Sequence, residues 1–246
     1  MHSSDTKRSR PPKISVIIPT KNEALLLPGC LMSLANQQTN VPFEIIIVDT
    51  KSTDGTIGIA ESFGARIIRE KRKGKIYAFR HGANEARGDI LCFTEADCTV
   101  PDHWIETIAT YFASHPSVGT LCGIYTFRHT TRLQRLGTIM GHVVAHALFY
   151  AIYWHHSIRA SNVAVRKSVY TKTGGFSLLY KELYDVDLSF RLSKFGSIRI
   201  LPGMTIETSD RRIRGRVWAY INEFIPALAS VLLRRPMAIQ TYKDIR

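Results

Sequence analysis

Cysteine is scarce in this sequence, and the few cysteines are not paired in any familiar motif. Only 4 of the 246 residues are cysteine, and no two of them form a CxxC pair. Three of the four lie in or beside apolar runs, where buried free thiols are common. The simplest interpretation is a protein of a reducing compartment.

Acidic residues are few relative to basic ones. The chain has 33 Lys and Arg against 20 Asp and Glu, a net charge of +13. Such an excess favours polyanionic partners, which include nucleic acid, anionic lipid and phosphorylated small molecules. The composition alone does not choose among these three.

The N-terminus lacks the apolar stretch of a secretory signal, so residues 1–12 are predicted to form a disordered basic tail. Internal repeats and low-complexity segments are also absent from the sequence. With 246 residues and 45% hydrophobic residues, the chain can bury the core of one large domain.

Four short apolar runs rich in β-branched residues predict buried strands. They cover residues 14–19, 43–49, 65–70 and 89–95. The intervening segments are long enough for crossover helices, which are predicted at residues 23–37, 55–63 and 75–87. This alternation predicts an α/β domain with a mostly parallel sheet.

Polar residues follow three of these four strands. They are "PTKNE" (residues 19–23), Asp49 with "TKSTDGT" (residues 50–56), and Glu95 with Asp97. Each has an ordinary alternative explanation, such as a helix cap at Asn22 or a simple turn in "STDGT". Because ligands bind beyond the carboxyl ends of parallel strands, the three together predict a site at one edge.

Glu95 and Asp97 are two residues apart, so in extended backbone both side chains would project to the same side. Carboxylates supply the hard oxygen ligands that Mg²⁺ or Mn²⁺ shares with substrate phosphates. The pair therefore predicts a cation that holds a diphosphate. The alternative is a solvated strand end that carries two acids.

Five segments in order resemble the successive motifs of family 2 glycosyltransferases. They are "SVIIPTKNE", "IIIVDTKSTDGT", "GKIYAFRHGANEARGDILCFTEADCTVP", "NVAVRKSVYTKTGGF" and "YDVDLSFRL". The resemblance implies the GT-A fold, a single α/β catalytic domain over residues 13–210 with a mostly parallel nucleotide-binding sheet flanked by helices. Residues 13–100 would form the nucleotide-sugar half and residues 101–210 the acceptor half. A basic, apolar extension of amphipathic helices is expected at residues 211–246.

On the donor side, the resemblance implies roles for the ends of the first two strands. The turn at Pro19 and Thr20 resembles the segment that lies along the nucleotide. Asn22 and Glu23 belong to the same segment. Asp49 resembles the acid that recognises the base.

Glu95, Ala96 and Asp97 stand at the family's DxD position. The resemblance implies that Asp97 binds Mg²⁺ or Mn²⁺, that Glu95 faces the ribose or the metal, and that Ala96 lies against the nucleotide. The preceding basic segment makes Lys75 and Arg80 candidates for diphosphate or base contacts.

On the acceptor side, Gly174, Gly175 and Phe176 resemble the family's acceptor loop. Tyr184 follows on the same side, and Asp185 takes the position of the catalytic base. An inverting transfer needs such a carboxylate opposite the leaving diphosphate.

Asp187 and a pair of arginines lie near the expected site, with different interpretations. Asp187 has a structural interpretation, because it can pair with Arg191 one helical turn away. Arg211 and Arg212 fall in the family's flexible segment near the diphosphate, so the resemblance makes them candidate diphosphate contacts.

The sequence departs from the family pattern at three positions. Glu95 stands where aspartate is usual, which affects the metal geometry. Thr50 replaces the second acid after Asp49, so one acid is left for the base. Tyr184 replaces the glutamate that normally precedes Asp185, which affects how that base is oriented.

The resemblance implies a metal-dependent, inverting transfer of one sugar from a UDP- or GDP-linked donor to an acceptor hydroxyl or phosphate. The QxxRW motif and the multiple spans of processive members are missing. Three alternatives stay open: an inactive nucleotide-sugar binding module, a less favoured basic nucleic-acid-binding protein, and a nucleotidyltransferase with a similar α/β sheet, which the match to the acceptor loop disfavours. Nucleic acid is not expected as a partner, because the basic residues are scattered and the acidic pair would be unexplained.

Residues 136–154 contain no Asp, Glu, Lys or Arg and are long enough to cross a bilayer. A true span would separate Asp97 from Asp185, so helices over the acceptor side that touch a membrane interface are favoured. His142 and His146 lie on one side of the predicted helix, near His155 and His156. The sequence shows no acidic residue beside them that would orient histidine ligands, so a metal site there is not favoured.

The arginine-flanked apolar segment at residues 211–236 suits an anionic membrane surface, or else covers the sheet as a core helix. These apolar and basic helices favour a lipid-linked or membrane-embedded acceptor. We therefore expect a cytoplasmic protein, peripheral on the cytoplasmic face of the membrane.

Overall fold

Strands and helices alternate along the first hundred residues, as the sequence predicts. The computed structural model describes residues 13–179 and 184–211. The strands are β1 (Ile14–Thr20), β2 (Phe43–Asp49), β3 (Arg66–Arg69), β4 (Ile90–Thr94), β5 (Cys98–Thr99), β6 (Val118–Cys122), β7 (Tyr125–Phe127), β8 (Asn162–Arg166), β9 (Ser197–Ile200) and β10 (Ile206–Thr208). The helices are α1 (Leu27–Ala35), α2 (Thr56–Ser62), α3 (Lys75–Glu85), α4 (Trp104–Ser114), α5 (Arg132–Tyr153), α6 (Lys167–Lys172) and α7 (Tyr184–Leu192), with a 3-10 turn at Pro202–Met204.

A seven-stranded sheet in the order β3-β2-β1-β4-β8-β6-β9 forms the centre of the domain. Neighbouring strands are parallel except at β8, which runs antiparallel to both β4 and β6. A second sheet has the order β5-β10-β7. The prediction of an α/β domain with a mostly parallel sheet flanked by helices is confirmed.

The strands read as continuous apolar runs because helices cover both faces of the sheet. All seven residues of β1 are buried. On one face, Leu31 of α1 and Trp104 of α4 belong to the core, and on the other, Phe79 of α3 and Leu188 of α7 do. This arrangement leaves the strand ends as the place where polar side chains can gather.

Three segments of the chain lie outside the described residues, and two of them carry predictions. The basic tail at residues 1–12 and nearly all of the helical extension at residues 211–246 are among them, since only Arg211 of that extension is described. The residues that join the acceptor loop to α7, 180–183, are also outside.

Gly82 follows Arg80 in an Arg-x-Gly pattern, which predicts close packing of α3 on the sheet. A Cβ added at Gly82 would lie 2.5 Å from Cγ2 of Ile17 and 2.8 Å from Cγ2 of Val48. Both neighbours are fully buried, so neither can move into solvent. The absence of a side chain at Gly82 therefore sets how near α3 approaches β1 and β2.

Gly82→Ala should lower the free energy of unfolding by about 1–3 kcal/mol, because overpacking a filled core is destabilising. Urea denaturation followed by circular dichroism measures the change. The matched control is Gly58→Ala in α2, where an added Cβ would meet nothing within 4 Å. That substitution should stabilise by up to about 1 kcal/mol through helix propensity, and equal effects at the two sites would refute this account of Gly82.

Candidate active site

The in-register pairing of β1 with β2 brings the first two predicted site residues together. Thr20 is paired with Asp49 at the carboxyl ends of the strands. The Thr20 hydroxyl donates to Oδ1 of Asp49 over 3.2 Å. Asp49 is fully buried, and Pro19 lies beyond the last β1–β4 pair, so its missing N–H costs no hydrogen bond to β4.

The Asp49 carboxylate is engaged from within the protein. Oδ2 accepts the Ser52 N–H over 3.1 Å, and Oδ1 accepts the Ser52 hydroxyl over 2.5 Å. The guanidinium of Arg69 lies 3.6 Å from Oδ2. Asp49 therefore shapes the loop that follows it, and its contact with a nucleotide base stays a prediction.

Asn22 links the two loops that follow β1 and β2. It does not cap α1, which begins five positions later at Leu27, so the helix-cap alternative is wrong. Its φ of 53° is left-handed, a conformation that asparagine tolerates. Oδ1 of Asn22 accepts the Thr53 N–H over 2.8 Å, and the Asn22 N–H donates to the Ser52 hydroxyl over 2.8 Å.

The "STDGT" segment anchors the same pair of loops, a role that the sequence interpretation as an ordinary turn missed. The Asp54 carboxylate accepts the N–H groups of Thr56 and Ala24 over 3.0 and 3.1 Å. The Thr56 hydroxyl accepts the N–H of Glu23 over 2.8 Å. The backbone of Glu23 is thereby held beside the loop that follows β2.

Glu95, Ala96 and Asp97 form a turn, which corrects the expectation of extended backbone. The Cys98 N–H donates to the Glu95 carbonyl over 3.1 Å, closing the turn directly after β4. Ala96 is buried in the core, so only its backbone is left to meet a ligand. Asp97 is 5% exposed, which makes it a buried carboxylate at the mouth of the sheet.

Basic side chains from other elements lie on these acids. Lys75, the first residue of α3, forms an ion pair with Glu95. Arg211 donates from Nη2 to both carboxylate oxygens of Glu23 over 3.0 Å and lies 3.4 Å from Oδ2 of Asp97. Arg211, predicted as a diphosphate contact, thus bridges two donor-side carboxylates, and Arg212 lies outside the described residues.

Arg80 and Phe176 tie the acceptor loop to α3. The Arg80 guanidinium donates to the Phe176 carbonyl over 2.9 Å. The Phe176 ring is fully buried and stacks 5.4 Å from Phe79, with Tyr184 5.7 Å away. The rings therefore anchor the loop and the start of α7, and the diphosphate contact of Arg80 stays a prediction.

Gly174 and Gly175 allow the loop its left-handed turn, with φ values of 76° and 73°. Arg191 of α7 donates from Nη1 to the Gly175 carbonyl over 2.6 Å. The same guanidinium pairs with Asp187 over 2.5 Å, which confirms the predicted pair one turn apart. Asp187 thus acts through Arg191 to hold the acceptor loop.

Asp185 lies in the first turn of α7 and is partly buried. Burial raises the pKa of its carboxyl, which the Arg159 guanidinium and backbone N–H groups lower and the nearby Glu95 charge raises again. Oδ1 accepts the Val186 N–H over 2.9 Å.

The start of α7 packs on α3, because the rings of Tyr184 and Phe79 have centres 6.4 Å apart. Lys75 at the start of α3 pairs with Glu95. Helix α3 therefore connects the start of α7 to the edge of the sheet that carries Glu95 and Asp97, called the donor edge below.

The carboxylates fit a divalent cation only in company with phosphates. Among residues 13–179 and 184–211, no group of three or more His, Cys, Asp or Glu could hold a metal ion. Glu95 and Asp97 supply hard oxygen ligands, and Mg²⁺ is commonly held by one or two carboxylates plus substrate phosphates. These two carboxylates would therefore hold such a cation only together with phosphate oxygens.

The model of the family described as Glycosyl transferase family 2 matches residues 15–187. A PGL/p-HBAD biosynthesis glycosyltransferase of Mycobacterium bovis is 30% identical over 194 residues, 73% of this chain and 69% of that protein. Glycosyltransferase AglE of Haloferax volcanii is 33% identical over 102 residues, 39% of this chain and 34% of that protein.

Two solved structures share the fold at low identity. The mannosyltransferase PcManGT from Pyrobaculum calidifontis, in complex with GDP-Man and Mn²⁺, has a TM-score of 0.68 and 19% identity over 92% of this chain and 64% of that chain. S. aureus TarS has a TM-score of 0.65 and 17% identity over 92% of this chain, which spans 40% of TarS.

The fold and the ordered motifs define a glycosyltransferase of the GT-A class. The chain belongs to glycosyl transferase family 2.

Asp185→Asn should make the folded protein more stable at neutral pH. Because burial raises the Asp185 pKa, the folded protein keeps this proton at pH values where the unfolded chain has released it. Stability from this group therefore falls as the pH rises through that window. The gain from Asp185→Asn should disappear below the usual aspartate pKa of about 3.9.

Thermal unfolding of the two proteins from acid to neutral pH measures this difference. Asp102→Asn, at an exposed acid beside α4, is the matched control. A variant that is less stable than the parent at neutral pH would show that the Asp185 charge is stabilised in the fold.

Proposed function

We propose that this glycosyltransferase moves one sugar from a nucleoside diphosphate sugar to an acceptor hydroxyl or phosphate, with inversion at the anomeric carbon. The observation that carries the proposal is that α3 links the start of α7 to the donor edge: Tyr184, next to Asp185, packs on Phe79 with ring centres 6.4 Å apart, and Lys75 at the start of α3 pairs with Glu95. Asp185 would act as the base on the acceptor side, while Glu95 and Asp97 are acids that suit a metal and a diphosphate.

In the proposed step, the acceptor oxygen attacks the anomeric carbon from the side opposite the diphosphate. Asp185 takes the acceptor proton as the new C–O bond forms. The bond from the anomeric carbon to the diphosphate oxygen breaks, and its electron pair leaves with the nucleoside diphosphate. The raised pKa of Asp185 makes it a better proton acceptor than a solvated aspartate.

Glu95 and Asp97 are the residues that would hold Mg²⁺ or Mn²⁺. The bound cation would stabilise charge on the departing diphosphate. Lys75 and Arg211 already lie on these acids, so a diphosphate placed at the same edge meets both basic groups. Arg211 must exchange contacts with Glu23 and Asp97 for contacts with the diphosphate.

The donor base is proposed to be uridine or guanosine. PcManGT was solved with GDP-Man, and a fragment of TarS with UDP-GlcNAc. The acceptor is proposed to be lipid-linked, since the apolar helix α5 packs through Phe149 against Phe190 of α7, the helix that carries Asp185.

We propose a cytoplasmic location. All four cysteines are buried free thiols, and burial raises the pKa of each one. Thiols of this kind persist in a reducing compartment.

A nucleoside diphosphate should raise the unfolding midpoint only when Mn²⁺ is present. Ligand at about a hundred times its dissociation constant adds roughly 2.7 kcal/mol, which is about 5–10 °C for a chain of this size. Asp97→Asn should lose this shift, whereas Asp102→Asn should keep it. No shift with UDP or GDP in folded parent protein would contradict the donor site.

Asp185→Asn should keep the nucleotide shift and lose about 10²–10⁴-fold in transfer, the usual contribution of a general base. Release of nucleoside diphosphate from a donor sugar, with an acceptor mixture added, measures the transfer. Binding without turnover in the parent protein as well would favour the inactive binding module. Transfer at the parent rate in Asp185→Asn would remove this residue from the mechanism.

A further inference from the structure

The polarity of helix α5 is opposite to that of an ordinary surface helix. It covers Arg132–Tyr153, a length and composition sufficient to cross a membrane, yet only 6% of its most apolar 18-residue window is buried. A core helix of a soluble protein would have this apolar surface covered.

The face of α5 that packs on the protein carries polar and aromatic side chains. His142 contacts the Tyr125 ring of β7 with ring centres 4.2 Å apart. Phe149 packs 5.8 Å from Phe190 of α7. His146, between these two on the same face, is 7% exposed.

The opposite face presents large apolar side chains to solvent. They are Leu133, Leu136, Met140, Val143, Val144, Leu148, Ile152 and, directly after the helix, Trp154, each between 49% and 81% exposed. In residues 136–158 the sequence has no Asp, Glu, Lys or Arg. A continuous apolar surface of this kind marks an interaction site.

The helix lies along the domain and does not leave it. The Arg135 guanidinium pairs with Glu207 of β10 over 2.8 Å. At the far end, Tyr153 packs 4.9 Å from Phe190. Within the part of the chain that the structure describes, these contacts leave the outer face of α5 open to a partner. The strands before and after α5, β7 and β8, belong to sheets of the same domain.

Charges and aromatic rings at the two ends indicate what that partner is. Arg132 is exposed in the first turn, and Trp154 is 81% exposed after the last turn. Basic and indole side chains at the ends of an apolar helix favour the bilayer interface. The net charge of +13 complements anionic lipid. We propose that the outer face of α5 docks on the surface of an anionic lipid bilayer.

Docking there would place the site beside the membrane. The inner face of α5 packs on α7, and the first turn of α7 carries Asp185. An acceptor held in the bilayer would then enter from the α5 side. The docking itself goes beyond the proposed transfer and does not depend on it, because a protein without transfer activity would still bind vesicles.

The first test uses a fluorophore on a single introduced cysteine. Met140 of α5 and Met32 of α1 are a matched pair, 53% and 52% exposed, and all native cysteines are buried. Met140→Cys labelled with an environment-sensitive dye should shift to shorter wavelength with phosphatidylcholine–phosphatidylglycerol vesicles. Labelled Met32→Cys should not. No shift at Met140, or equal shifts at both, would overturn the proposal.

The second test measures co-sedimentation of the full chain with the same vesicles. Met140→Asp should weaken binding about tenfold, since it places a charge where apolar area is buried, and Met32→Asp should bind like the parent. Equal thermal unfolding of both variants and the parent keeps the comparison valid. Parent-like binding by Met140→Asp would overturn the proposal.

The labelled Met140→Cys protein also distinguishes lipid from two other partners that could cover the outer face of α5. A shift without vesicles that grows with protein concentration would mean that a second copy covers α5. A shifted emission without vesicles at every concentration would mean that the chain's own residues cover it. Either result would overturn docking on lipid. Binding to phosphatidylglycerol vesicles that persists without any nucleotide would support it independently of the donor site.

Discussion

The parallel, in-register pairing of β1 with β2 is the interaction on which the rest of the site depends. It places Thr20 beside Asp49, and the buried Asp49 carboxylate then orders the following loop through Ser52. That loop is hydrogen-bonded to Asn22, so the loops that follow β1 and β2 are held together. A slip of the register would separate these partners while leaving both strands apolar. The core therefore supplies stability, and the strand register supplies the geometry of the site.

The donor edge is built from paired charges. Buried or partly buried carboxylates are costly unless a positive group or hydrogen bonds compensate them. Here Lys75 compensates Glu95, and Arg211 compensates both Glu23 and Asp97. A metal with a diphosphate would bring its own positive and negative charges to the same place. The basic side chains can then exchange a carboxylate for a phosphate without either ion losing a partner.

Much of the first half of the chain was predictable, because local apolar runs and turn residues specify β1 to β4 and the helices between them. The strand ends follow from the same pattern, which is why Thr20, Asp49 and Asp97 gather at one edge as predicted. The turn at residues 95–98 was not predictable, since spacing alone cannot distinguish it from extended backbone. The contact between Arg211 and Glu23 was also not predictable, because it joins residues 188 positions apart in the sequence. The antiparallel direction of β8 was not predictable either, because the long segment through α5 precedes β8 and no local sequence pattern specifies the direction of that strand.

Helix α5 packs on the domain with its polar side chains and exposes its apolar side chains. Its apolar residues were visible in the sequence, but which face they occupy relative to the domain depends on tertiary packing. The inner face tolerates histidine because burial lowers the His146 pKa to about 4, a shift that the nearby His156, His142 and Arg159 charges increase. The imidazole is therefore neutral near pH 7, and α5 adds no buried charge to the domain. A helix that buries neutral polar rings and exposes aliphatic side chains is not stabilised by water on its outer face. Such a helix is suited to contact with the apolar interior of a bilayer, and Asp185 on α7, the proposed base, would lie beside that boundary.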